Sequence, residues 1–172
     1  MDEIENEFKS RGDDKMTLSN PEMNPHHERV RLSQWDAIVL ESVRAKGLDG
    51  ESLLERAAAG KLPDPTDSLV SDFSPLLTLH EEQPEVLRQA VTEGYRIKYN
   101  TLGGINTWIK IVFGREPEVE RSEGMEGVSV SLTDEEYARL APVLSIGWTL
   151  ERQEGEAAEA GMAPYRVIPV RA

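Results

Sequence analysis

The sequence predicts an α+β fold, with a mainly helical N-terminal part and a small C-terminal strand-helix-strand-strand module. Two observations carry this prediction. Apolar residues recur at helical spacing in successive segments between residues 32 and 113, whereas after residue 127 they alternate with polar ones as in half-buried strands. Capping residues and helix-stopping glycines or prolines fall at the borders of those segments.

Residues 1–29 mix charged and polar groups with two Asn-Pro breaks and follow no period, which predicts a flexible acidic tail. In "LSQWDAIVLESVRAKG", Ser33 and Asp36 fit a capping signature, and Trp35, Ile38, Val39 and Val43 form one stripe of a helix that Gly47 ends. Asp49 caps a second helix through Leu53, Leu54, Ala57 and Ala58, stopped by Gly60. "KLPDPTDSLVSDF" holds two prolines and three aspartates and reads as a loop. Ser74-Pro75 opens a helix that stops before Pro84, because proline in the first turn loses no hydrogen bond. Pro84 opens the next one, expected to run through Tyr99. In "NTLGGINTWIKIVFG", Ile105, Trp108, Ile109 and Val112 match helical spacing, which predicts a helix over 101–113 capped by Thr101. A hairpin turning at Gly103-Gly104 is the alternative.

The helical domain therefore spans 30–114, with Trp35 and Trp108 expected in or near its core, and a charged linker spans 115–127. In the module over 128–172, "VSVSL" is a strand, Thr133 and Glu136 form a capping box before a short helix, and "GWTLERQ" is a second strand. "EGEAAEAGMA" is an acidic loop, and "YRVIPVR" is a last strand that Pro169 is expected to confine to a sheet edge. A unit this small is expected to dock on the helical part rather than stand alone.

The 172 residues are 38% apolar and 30% charged, with net charge −13. Mean hydropathy is −0.48 and the pI about 4.7. This composition describes a globular, soluble chain, and its average field disfavours non-specific binding to nucleic acid or anionic lipid. No apolar run approaches the roughly 18 residues a bilayer requires. With zero cysteines there is no disulfide, thiol nucleophile or thiolate metal site, and a reducing cytoplasm is the expected compartment.

Motifs for catalysis are wanting. His26 and His27 fall in the tail, and His80 in "HEEQP" has Pro84 where a zinc-binding helix needs its second histidine. Asp64, Asp67 and Asp72 lack the alternate spacing of a calcium loop and read as turn and cap residues. Gly60-Lys61 is followed by Leu62, not by the Ser/Thr of a phosphate-binding loop, and no serine sits in a G-x-S-x-G elbow. The expectation is a protein that is not an enzyme and has no cofactor or metal.

One window departs from the acidic average. "YRIKYNTLGGINTWIKIVFGR" holds Arg96, Lys98, Lys110 and Arg115 and no acidic residue. Helices over 84–99 and 101–113 joined by a tight turn would resemble a helix-turn-helix in general form, and that resemblance implies a recognition face of Asn106, Thr107 and Lys110 flanked by Arg96, Lys98 and Arg115. An apolar and basic patch on an acidic body equally suits an acidic protein partner, with Tyr95 and Tyr99 as anchors where exposed. The leading expectation is a cytoplasmic regulatory or adaptor protein that binds another protein through the surface around residues 95–115. Sequence-specific DNA binding through the 84–113 pair is the alternative.

Overall fold

The computed structural model describes residues 28–156 and 159–171. Most of the expected tail, with His26 and His27, lies outside the described residues.

Along the chain come β1 (Val30–Leu32), α1 (Gln34–Ala45), α2 (Gly50–Ala58), α3 (Ser74–Glu82), α4 (Pro84–Glu93), β2 (Tyr95–Ile97) and α5 (Leu102–Phe113). They are followed by β3 (Glu118–Glu120), β4 (Gly127–Leu132), α6 (Asp134–Leu140) running into a 3-10 turn, β5 (Trp148–Arg152) and β6 (Ala163–Pro169). The fold is α+β, with helices dominating the first part and strands the second. β1 and β2 pair in parallel, Val30 beside Tyr95 and Leu32 beside Ile97. The remaining strands form an antiparallel sheet in the order β3-β4-β6-β5.

Local chemistry sets the helix borders. Ser33 accepts from Asp36 N–H, Asp49 from Gly50 N–H and Thr101 from Gly104 N–H. Thr133 and Glu136 complete a reciprocal capping box at α6. Residues 101–113 are thus helix and not hairpin. Gly103 and Gly104, poor helix formers, fall in the first turn, where a side chain on Gly104 would collide with Gln34, 1.9 Å from the position of its Cβ.

Four expectations are corrected. The helix from Pro84 does not reach Tyr99. Gly94 ends it at a φ of 99°, with the Arg29 guanidinium lying where a Cβ would stand, and the next three residues turn to a strand with Tyr95 and Ile97 inward and Arg96 outward. That three-residue strand replaces the tight turn of a helix-turn-helix. Within the expected linker, β3 pairs with β4 and extends the sheet by one strand. Trp35 is not in the core but 50% exposed, because α1 is buried on every side from Ala37 to Val43 and Trp35 precedes that stretch.

The fourth correction concerns Pro169, which does not confine β6 to an edge, since β6 lies between β4 and β5. The register explains the tolerance. The β4–β6 ladder stops at Val167, so the missing N–H of Pro169 points past its end. Pro164 likewise lies beyond the last β5–β6 pair, Arg152 with Tyr165.

A single apolar core runs from Leu40, Leu76 and Leu87 through Trp108 and Ile109 to Val128, Leu132 and Val167, so the C-terminal module is docked on the helices. Within it sits one carboxylate. Glu41, 3% exposed, accepts from Arg44 at 3.0 Å and from Arg139 of α6 at 3.1 Å. The buried Tyr95 hydroxyl donates to it at 2.6 Å and accepts from Trp108 Nε1 at 2.7 Å. Burial, reinforced by the Glu41 charge, raises the Tyr95 phenol well above its ordinary pKa. Burial works against the Arg44 cation, yet Glu41 and Asp49 hold it above its usual value.

This network is expected to be sensitive to small changes. Glu41→Gln takes the counter-charge from Arg139 and leaves Arg44 with Asp49, and is expected to cost about 3 kcal/mol. Tyr95→Phe orphans the buried Trp108 N–H and is expected to cost about 1–3 kcal/mol. Urea unfolding of both variants checks this, and wild-type midpoints would refute the network's role.

Candidate functional site

The β2 strand sorts the basic window by alternation. Tyr95 and Ile97 enter the core while Arg96 faces outward, and the chain continues through exposed Lys98 and Tyr99, the latter 83% exposed. Two sets of hydrogen bonds hold this segment. Gln34 Oε1 accepts from Thr101 N–H at 2.9 Å while its Nε2 donates to Thr101 Oγ1 at 3.1 Å. Asn100 and Ser145 bond reciprocally: Ser145 N–H donates to Asn100 Oδ1 at 2.7 Å, and Asn100 N–H to Ser145 Oγ at 3.1 Å. The second set ties the segment to the turn before β5, and a groove of about 470 Å³ opens between them.

Arg31, Arg96, Lys98 and Tyr99 line this groove on one side, with Ile146 and Trp148 on the other. Its lining holds no aspartate or glutamate. Arg31 pairs with exposed Glu28 at 3.2 Å, whereas the Arg96 and Lys98 side chains have no hydrogen bond or ion pair among the described residues. Ile146, 69% exposed, and Tyr99 stand at the rim.

The other residues of the basic window lie elsewhere. Tyr95 is 2% exposed and serves the Glu41 network, so it is no surface anchor. Asn106, Thr107 and Lys110 are each half-buried, because α5 packs on α1 and also meets β3 and β4. The Asn106 Oδ1 is buried without a partner among the described residues, and Lys110 pairs with Glu116 at 3.5 Å. The expected recognition face is therefore half-covered rather than open. Arg115 bonds Glu136 of the capping box at 3.1 Å, linking the end of α5 to the start of α6.

Sequence reasoning missed Arg31, Asn100, Ser145, Ile146 and Trp148 as groove residues. No local pattern marks them, since chain segments more than 40 residues apart converge here. Other polar candidates have ordinary roles. Asp64 accepts from Thr66 and Asp72 from Ser74, which are turn and cap contacts that lower both carboxyl pKa values. His80 is half-buried in the last turn of α3. No family model, curated protein or solved structure matches the chain.

Asn100→Ala removes the acceptor for the Ser145 amide and is expected to cost about 1–2 kcal/mol. The Ser145 amide should then exchange hydrogen faster, as read by hydrogen–deuterium exchange. An unchanged rate there would show that this pair does not hold the groove together.

Proposed function

We propose that the protein is a non-enzymatic regulatory or adaptor protein of the cytoplasm, and that it binds an acidic segment of a partner protein in the groove between β2 and the turn before β5. One observation carries this reading: a chain of net charge −13 lines this groove with Arg31, Arg96 and Lys98 and no acid. Arg31 has exposed Glu28 as its counter-charge while Arg96 and Lys98 have none among the described residues, and such a patch steers an acidic partner to the site. Tyr99, Ile146 and Trp148 add the apolar and aromatic contacts that anchor an interface. No helix among the described residues is long and apolar enough to cross a membrane, and the absence of cysteine suits a reducing compartment.

DNA binding would have to rest on the same three cations, which neutralise few phosphates while the acidic body repels a duplex. A strand stands where a helix-turn-helix has its turn, and Asn106, Thr107 and Lys110 on α5 are half-buried, which favours the protein partner.

The test compares the wild-type chain with Arg96→Glu/Lys98→Glu as baits. A partner held by the wild type and lost from the charge-reversed chain is expected; identical captures would refute the groove as the binding surface. Fluorescence anisotropy with a DNA duplex at about 50 mM salt distinguishes the alternative, which requires affinity that falls steeply with added salt and vanishes on charge reversal.

A further inference from the structure

The antiparallel sheet has two edges, and they differ. β3 is three residues long and carries exposed Glu118 and Glu120, a short and charged edge of the kind that resists further pairing. β5 is five residues long, and no strand pairs with its outer side among the described residues.

The register decides which backbone groups that outer side presents. Gln153 N–H donates to Pro164 O at 2.9 Å and Val170 N–H to Gly147 O at 2.8 Å, so odd-numbered residues of this strand bond toward β6. The N–H and C=O of Leu150 and Arg152 therefore point away from the sheet. Trp148 N–H turns back to Ser145 O at 3.0 Å, leaving its C=O outward.

Trp148 and Leu150 lie on the sheet face of Val167 and Tyr165, the face that Tyr137 of α6 covers with a ring contact of 5.0 Å. At its β5 margin this face opens into a cavity of about 320 Å³ lined by Arg96, Tyr137, Ile146, Trp148 and Leu150. Arg96, Ile146 and Trp148 also line the groove already described, so the two hollows adjoin at the start of β5. Neither is lined by an acid. Glu151, the acid of β5, projects to the opposite face beside Arg166.

From this geometry we propose that an extended, acidic segment of a partner protein adds as a fifth strand to the outer edge of β5. This rests on the groove reading above and specifies the partner's conformation. A strand laid about 4.8 Å from β5 would place alternate side chains over the cavity margin, where Arg96 awaits a carboxylate. Its backbone would take up the outward groups of Leu150 and Arg152. A second copy of this chain is the poorer occupant, because β5 against β5 brings two sets of Arg96 and Lys98 together between bodies of net charge −13.

The experiment selects displayed random peptides of about ten residues, ample for one strand, on the immobilised full-length chain. Enriched peptides are expected to alternate acidic with apolar or β-branched residues. Synthetic copies methylated on alternate amide nitrogens should bind at least about tenfold more weakly in the register that blocks pairing, since two or more hydrogen bonds are lost. On the protein, Arg152→Pro should weaken binding more than Arg152→Ala. Affinity unaffected by methylation in either register, but lost with Arg96→Glu, would overturn strand addition and leave the groove reading standing. Peptides indifferent to Arg96→Glu and Lys98→Glu would overturn both.

Discussion

The Glu41 carboxylate is the constraint around which the molecule is arranged. A charge so enclosed is tolerated only when its lone pairs are filled, and three side chains do so: Arg44 of its own helix and, from distant parts of the chain, Tyr95 of β2 and Arg139 of α6. Each partner carries a piece of architecture. Tyr95 brings β2 into register beside β1, and its hydroxyl also takes up the Trp108 N–H, which orients α5. Arg139 ties the C-terminal module to the central helix. Apolar burial supplies most of the cohesion, but it is indifferent to direction; the hydrogen bonds to Glu41 set where the elements must lie relative to one another.

The groove beside β2 follows from that placement. With Tyr95 and Ile97 turned into the core, strand alternation leaves Arg96 outside, and with α6 fixed by Arg139 the turn at Ser145 stands opposite. The basic window thereby divides into three functions. Tyr95 is structural, Lys110 and Arg115 pair with acids near the C-terminal sheet, and Arg96, Lys98 and Tyr99 line the groove at the start of β5. A cluster that is contiguous in sequence is thus scattered in function, while the groove gathers residues from 31 to 148.

Much of the fold was legible because its signals are local. Ser33, Asp49, Thr101 and the Thr133–Glu136 box mark helix starts through bonds to N–H groups within three residues, and Gly47 and Gly60 mark breaks by backbone conformation alone. The misreadings share a cause. β1 and β2 are three residues long, too short for alternation to be distinguished from helical spacing, and each exists through its pairing with the other across more than 60 residues of chain. The full burial of α1 was hidden because a stripe implies one covered face, whereas α3, α5 and β1 all pack against this helix.

By itself, the sequence determined the elements that hydrogen-bond within themselves, the switch from helical to alternating patterning near residue 127, and the presence of a cationic stretch in an acidic chain. Only the tertiary structure decided which of those cations reach solvent together, that Pro169 lies within an interior strand beyond the end of a ladder, and that β5 rather than β6 is left with an open edge. The physical reason is range. Caps and turns are settled by neighbours a few residues away, whereas exposure, strand order and the sharing of a buried charge depend on partners that the chain meets only after it has folded.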